Sequence, residues 1–167
     1  MIKSFIAVYC SLLLLVPGDL KKLRAHYVLM SKKEESALLI KDIATQNKDL
    51  PRSLTNAYIA AAEMALAQYK FSPAAKLSNF NNGRKLLEAA VRSDSVNLEV
   101  RYIRFTIQCN APKFLGYTKN IIADKNFLVQ NLKTVKTSDT ELFSNVYAYL
   151  LASGKLSAED KTALSKN

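Results

Sequence analysis

The segment of residues 97–109, NLEVRYIRFTIQC, constrains the fold most. At helical spacing its apolar side chains fill two rows, and four polar side chains fill a stripe between them. That stripe consists of Asn97, Arg101, Arg104 and Gln108. A helix that is apolar on two sides is largely buried, and a buried guanidinium needs a partner because an uncompensated buried charge is costly. The pattern therefore predicts a central helix whose arginines are either paired inside the fold or used to hold a ligand.

Two interpretations of these arginines are open. In the first, Arg101 or Arg104 forms a structural ion pair with Glu63, the only charge in the alanine-rich centre of a preceding helical segment. In the second, the stripe lines a groove that binds an acidic ligand, because arginine makes bidentate contacts with carboxylates.

The connector of residues 110–120, NAPKFLGYTKN, follows that helix directly. Pro112 ends the helix, and we expect Phe114 and Leu115 to close the end of the hairpin while Lys113, Tyr117 and Lys119 face outward. The segment is either a stiff connector or a binding loop beside the arginine stripe. As a binding loop it would add Lys113, Tyr117 and Lys119 to the ligand site.

The rest of the chain also favours helices. Only four glycines and four prolines occur in 167 residues, which argues against a fold with many tight β turns. The spacing predicts helices at about 34–46, 51–69, 79–93, 97–109 and 117–134, one from 138 to Gly154, and a last one after Ser157. We therefore expect an all-α domain over residues 34–167, built from six or seven helices in antiparallel hairpins.

The N-terminus is typical of an export signal. Lys3 precedes an apolar run over residues 5–16, FIAVYCSLLLLV, and Gly18 supplies a small residue at a cleavage site. We expect a signal peptide over residues 1–18, which engages the membrane during export only, and a basic leader over residues 19–33. An uncleaved membrane anchor is the alternative. Either way the chain is predicted to be exported, to the periplasm or cell envelope.

The net charge of +10 restricts the class of partner. A basic surface attracts acidic proteins, acidic glycans, anionic lipid or nucleic acid. Export makes nucleic acid the least suitable of these, so we expect a protein or peptide partner, with an acidic one as an option, and no nucleic acid.

Residues with catalytic chemistry are few. His26 is the only histidine, which excludes metal sites built on several histidines, and the glycines are isolated rather than grouped in a phosphate loop. We therefore predict no catalytic residue, no metal and no cofactor. An enzyme based on paired carboxylates stays open as an alternative, although no spacing pairs the scattered acidic residues.

One hairpin resembles a known repeat. Gly83, Leu87, Ala90 and Ser95 in FNNGRKLLEAAVRSDSVN follow the small, large, small pattern of the second helix of a tetratricopeptide repeat, with serine where that family has proline. The resemblance covers about residues 52–97 and implies stacked helix hairpins whose first helices line a peptide-binding groove. Residues 97–127 also resemble a group of small exported helical proteins of Bacteroidota, which implies a location in the cell envelope.

These observations together predict a non-enzymatic protein or peptide interaction module of the cell envelope or periplasm. Binding is expected through the face near helix 97–109 and the loop 110–119. The alternatives are a carboxylate-based enzyme acting on envelope polymers and a basic surface that binds anionic polymers or lipid.

Overall fold

The chain is all-α, as the sequence predicts. The computed structural model describes residues 17–166, and within them it contains eight α-helices, three short 3-10 helices and no strand. The α-helices are α1 (Gly18–Tyr27), α2 (Glu34–Gln46), α3 (Arg52–Leu66), α4 (Pro73–Ser93), α5 (Leu98–Asn110), α6 (Ile121–Asn131), α7 (Thr140–Ala152) and α8 (Ala158–Ser165). Apart from Pro17 and Gly18, the predicted signal peptide lies outside the described residues.

Consecutive helices from α1 to α6 pack antiparallel. Helix α2 ends near the start of α1, where the Asn47 side chain donates to Asp19. Helix α4 likewise ends near the start of α3, where the Ser53 hydroxyl donates to Asp94. This alternation brings the α1–α2, α3–α4 and α5–α6 connections to the C-terminal end of α5.

Helix α7 runs parallel to α5, because its first residues lie near the start of α5 and Tyr149 reaches Asn110 at the end of α5. The α7–α8 connection therefore also lies at the C-terminal end of α5. We call this end of the molecule the C-terminal pole. The α2–α3, α4–α5 and α6–α7 connections form the N-terminal pole.

Helix α5 is shared by two hydrophobic cores. Val100 and Ile103 pack into a core made with α1–α4, whereas Tyr102 and Phe105 pack into a second core made with α6–α8. Val100 and Phe105 are completely buried. The prediction that residues 97–109 form a central, enclosed helix is therefore confirmed.

Helix α1 lies within the segment that was expected to be a basic leader. Leu23 is fully buried and Leu20 nearly so, and both belong to the first core. Burying a leucine side chain contributes about 1.5–3 kcal/mol, so this segment contributes to the stability of the fold. The sequence analysis placed residues 19–33 in a leader outside the domain, whereas α1 packs against α2 and α3.

Three predicted boundaries are corrected by the structure. Helix α4 begins at Pro73 rather than near 79, because the Ser72 side chain accepts from the Ala75 amide and proline suits the first turn. Helix α6 begins at Ile121, not 117. Asp139, rather than Ser138, caps α7 by accepting from the Leu142 amide.

Within residues 17–166, no helix has both the length and the apolar character needed to cross a bilayer.

Helix α4 packs tightly against α3 at Gly83. A Cβ atom at this position would lie 2.5 Å from Cγ of Met64 and 2.7 Å from the carbonyl oxygen of Ala60. Backbone cannot move aside as a flexible side chain can. Glycine at position 83 is therefore what allows the two helices to approach.

We predict that Gly83→Ala lowers the free energy of unfolding by about 1–3 kcal/mol, since the added methyl group overpacks the contact. Alanine in a helix otherwise stabilises by about 1 kcal/mol relative to glycine, so the sign of the change reports the contact. Urea unfolding followed by circular dichroism measures it. Gly18→Ala is the control, because nothing lies within 4 Å of the added atom. A Gly83→Ala protein as stable as the parent would contradict this packing.

Candidate functional site

A buried ion cluster around Arg24 joins α1, α5 and the start of α7. Nε and Nη2 of Arg24 donate to the two carboxylate oxygens of Glu99 at 2.8 and 2.7 Å. Nη1 and Nη2 donate to Asp139 at 2.9 and 2.7 Å, and Glu141 lies 3.4 Å from Nη1. The Tyr58 hydroxyl donates to Glu99 at 2.6 Å. One guanidinium therefore holds three helices together.

The protonation states in this cluster follow from burial and pairing. Burial alone would lower the pKa of Arg24, but the hydrogen bonds to Glu99 and Asp139 raise it above its ordinary value. Burial alone would raise the pKa of Asp139, but the bonds from Arg24 and from the Leu142 amide lower it. Arg24 is therefore cationic and Asp139 anionic near neutral pH.

A second ion cluster surrounds Arg104 on the opposite side of α5. Nε and Nη2 of Arg104 donate to Asp124 at 2.7 and 2.8 Å, and Nη1 donates to Glu88 at 2.9 Å. Asp124 is completely buried. Burial alone would lower the pKa of Arg104, but the hydrogen bonds that it donates to Asp124 raise it. The guanidinium is therefore satisfied by α4 and α6.

Arg101 is held by the same helix α6. Its Nε lies 2.5 Å from Oδ1 of Asp124, an ion-pair contact whose angle is outside that of a hydrogen bond. Its Nη2 donates to the Ala123 carbonyl at 3.1 Å, and the guanidinium lies 4.5 Å from the centre of the Phe127 ring. Both arginines of the predicted stripe thus make their contacts within the fold.

The predicted ion pair between these arginines and Glu63 does not form. Glu63 instead contacts Lys41 of α2 and accepts from the side chain of Asn79 at 3.3 Å. Glu63 faces α2 and α4 rather than α5, so the arginine partners come from α4 and α6.

The structure separates the other residues proposed for ligand binding. Asn97 caps α5 by accepting from the Val100 amide, and Gln108 is buried and accepts from the Asn120 amide. Tyr117 was expected to face outward, but it is 3 % exposed and its hydroxyl donates to Glu88 at 2.6 Å. Only Lys113 and Lys119 are exposed.

Phe114 was expected to close the end of the hairpin, but it is 86 % exposed. Leu115 packs against the first core, as expected, and Tyr117 takes the buried position beside it. The seven residues of the predicted ligand site therefore do not form one surface.

A groove of about 410 Å³ lies on the other face of α5, between α1, its following connection and α7. We call it the tyrosine groove. It is lined by Tyr27, Val28, Met30, Ser31, Tyr102, Thr106, Ile107, Asn110 and Tyr149. A neighbouring chamber with room for about one water molecule shares Tyr27, Val28 and Tyr102 with it, and extends to Tyr58 and Glu99.

Polar groups in the tyrosine groove are linked to one another. Asn110 donates to the Tyr149 hydroxyl at 2.6 Å, and the Tyr27 hydroxyl contacts the side-chain oxygen of Thr106. The rings of Tyr102 and Tyr149 meet edge to face at 5.9 Å. Burial raises the pKa values of Tyr27, Tyr102 and Tyr149, so these hydroxyls stay neutral and act as hydrogen-bonding groups.

Sequence reasoning missed both Arg24 and the tyrosine groove, although signals for them exist. Leu20, Leu23 and Tyr27 flank Arg24 at helical spacing, so an arginine lies on an apolar face. On α5, Thr106 and Asn110 follow Tyr102 at intervals of four and form a row with hydroxyl and amide groups.

The carboxylates considered for an enzyme all have cationic partners. Glu88 and Asp124 contact Arg104, Glu99 and Glu141 contact Arg24, and Glu63 contacts Lys41. Over residues 17–166, no group of three or more His, Cys, Asp or Glu residues is arranged to hold a metal ion. The structure therefore gives the carboxylate mechanism no specific support.

Comparisons of the chain with protein-family models, with curated proteins and with solved structures find no match.

We predict that Arg24→Met lowers the free energy of unfolding by about 3–5 kcal/mol, because Glu99 is then buried without its counter-ion. The matched control is Lys22→Met, whose ion pair with Asp19 on the same helix is exposed at 3.5 Å. Removing an exposed pair costs at most about 1 kcal/mol. Urea unfolding of both variants tests the cluster. An Arg24→Met protein no less stable than the Lys22→Met protein would contradict the assigned role.

Proposed function

We propose that this chain is a non-enzymatic binding module that takes an extended peptide segment into the tyrosine groove. The observation that carries the proposal is the groove itself. Its volume of about 410 Å³ lies in the range of about 300–1,000 Å³ that is typical of ligand sites. The groove lies along α5, the helix that the sequence analysis identified as central, on the face opposite the arginine stripe.

The lining of the groove suits a peptide. Ring faces of tyrosines offer apolar area at low cost in side-chain entropy, and the hydrogen bonds of Tyr27 and Tyr149 within the groove hold their rings in place. Thr106 and Asn110 add polar groups along one wall, and Val28, Met30 and Ile107 add apolar contacts. This mixture fits alternating side chains and backbone amides of an extended segment.

The charged residues of the adjoining chamber, Arg24 and Glu99, give no reason to expect an acidic peptide. They are bonded to each other, so neither charge is left for a ligand. An acidic ligand on α5 was expected because of Arg101 and Arg104, whose contacts within the fold remove that reason for this face. We therefore propose a peptide that is recognised by shape, ring packing and hydrogen bonds.

The proposed location is the periplasm or cell envelope. It rests on the apolar segment over residues 5–16 after Lys3, and on Gly18 as a cleavage position.

We further propose that α3 and α4 form a tetratricopeptide-like hairpin. The support is the close contact of Gly83 with Ala60 and Met64, together with buried Leu87 and Ala90 at the family's spacing. Ser95 in place of proline, and the long connection before Pro73, are departures from the family pattern.

The experiment is a selection of random peptides on the immobilised protein, followed by affinity measurement by fluorescence anisotropy. We predict that Val28→Trp, which places a large ring at the mouth of the groove, weakens the selected peptides by about tenfold or more. Val28 is exposed, so the substitution leaves both cores intact.

Leu38→Trp is the matched control, because Leu38 is a comparably exposed aliphatic residue on α2 that does not line the groove. Its affinity for the same peptides should equal that of the parent. Peptides that bind the Val28→Trp protein as tightly as the parent would exclude the groove, and a selection that yields no binding peptide would overturn the proposed function.

A further inference from the structure

The connections at the C-terminal pole differ in charge from those at the N-terminal pole. The four connections of residues 28–33, 67–72, 111–120 and 153–157 contain six lysines and no aspartate or glutamate. These lysines are Lys32, Lys33, Lys70, Lys113, Lys119 and Lys155. At the N-terminal pole, residues 47–51, 94–97 and 132–139 hold three lysines and three aspartates. The antiparallel topology therefore concentrates positive charge at one end.

The lysines of the C-terminal pole are available to a partner. All six are exposed, and none is in a salt bridge within the part of the chain that the structure describes. The nearest carboxylates lie in the first turns of the helices that start at this pole, Glu34 and Glu35 in α2 and Glu159 and Asp160 in α8, and Asp160 is already paired with Lys125. The pole therefore carries an excess of positive charge.

Apolar side chains project from the same connections. Phe71 is fully exposed and Phe114 is 86 % exposed, and Val28, Leu29 and Tyr69 are also exposed. By contrast, Val96 is the one large exposed apolar residue in the connections that the structure describes at the N-terminal pole. Apolar side chains that are exposed together at one end of a molecule mark an interaction site, whereas single exposed ones are ordinary.

We propose that the C-terminal pole docks on an anionic lipid surface, with Phe71 and Phe114 inserted among the headgroups. Lysines surrounding aromatic and aliphatic side chains are the composition that binds this interface, since charge attracts the surface and apolar side chains bury in its outer layer. A partner recognised by charge alone would use the lysines but leave Phe71 and Phe114 uncovered. Phe71 and Phe114 do not line the tyrosine groove, although Val28 belongs to both surfaces, and this docking does not depend on the peptide-binding proposal.

The chain contains no tryptophan, so one introduced tryptophan reports on one position. Phe71→Trp and Phe114→Trp mark the C-terminal pole, and Val96→Trp marks the other end. All variants keep the same N-terminal segment, so any binding through it is common to all. The probes are vesicles of phosphatidylcholine alone and of equal parts phosphatidylcholine and phosphatidylglycerol.

We expect the emission of Phe71→Trp and Phe114→Trp to move to shorter wavelength with the anionic vesicles and to stay unchanged with the neutral ones. Val96→Trp should not respond to either. An equal shift at Val96, or no shift at either phenylalanine position, would overturn the proposal.

A charge test is matched to the reporter test. Lys70→Glu combined with Lys113→Glu should weaken binding to the anionic vesicles by about tenfold or more, because both charges face the surface. Lys48→Glu combined with Lys133→Glu makes the same change in net charge at the N-terminal pole and should have little effect. Equal losses of vesicle binding in the two double variants would show that only the net charge of the protein matters.

Dextran sulfate tests for an anionic polymer as the partner. Binding of dextran sulfate as tight as that of the vesicles, and insensitive to Phe71→Ser, would point to an anionic polymer instead.

Discussion

The pairing of Arg24 with Glu99 is the contact on which the arrangement of helices depends. Glu99 lies in the first turn of the central helix, buried between two cores, and it is acceptable there only because a guanidinium and the Tyr58 hydroxyl satisfy its oxygens. Arg24 reaches it from α1 and also holds Asp139, which caps α7. Helix α1, which the sequence analysis assigned to a leader, is thereby joined to the helices of both cores.

The same logic accounts for the other face of α5. Arg104 and Arg101 both contact the buried carboxylate of Asp124, so α6 is fixed against α5 through charge as well as packing. The charges of the central helix are thus used inside the fold. The surfaces left for partners are uncharged or basic: the tyrosine groove on one side of α5, and the lysine-rich connections at its C-terminal end.

Local rules account for much of what the sequence could predict. The bounds of α2, the helix around residues 97–109 and the Ser157 cap of the last helix follow from spacing and cap residues, and the structure contains all three. The partners of Arg101 and Arg104 could not be found this way. Helical period fixes which face a residue occupies but not which neighbour covers that face, and α6 rather than α3 covers the arginines.

Arg24 shows a second limit. Its neighbours Lys21 and Lys22 make the segment look like a solvated basic run, and only the buried Leu20 and Leu23 reveal the opposite face.

The loop after α5 shows a similar limit, because Phe114, which was expected to be buried, is exposed and Tyr117, which was expected to be exposed, is buried. The turn at Gly116, with φ of 61°, decides which of the two rings meets the core, and spacing in a loop does not encode that direction.

The claim that the charges of the central helix are used inside the fold is tested most directly by a double-mutant cycle between Arg104 and Asp124. Unfolding free energies of Arg104→Met, Asp124→Asn and the double variant give the coupling between the two side chains. If the guanidinium is an internal partner of Asp124, the coupling is about 2 kcal/mol or more. Additive effects within about 0.5 kcal/mol would mean that Arg104 is not committed to Asp124, and the central helix would then have a charge free for a ligand.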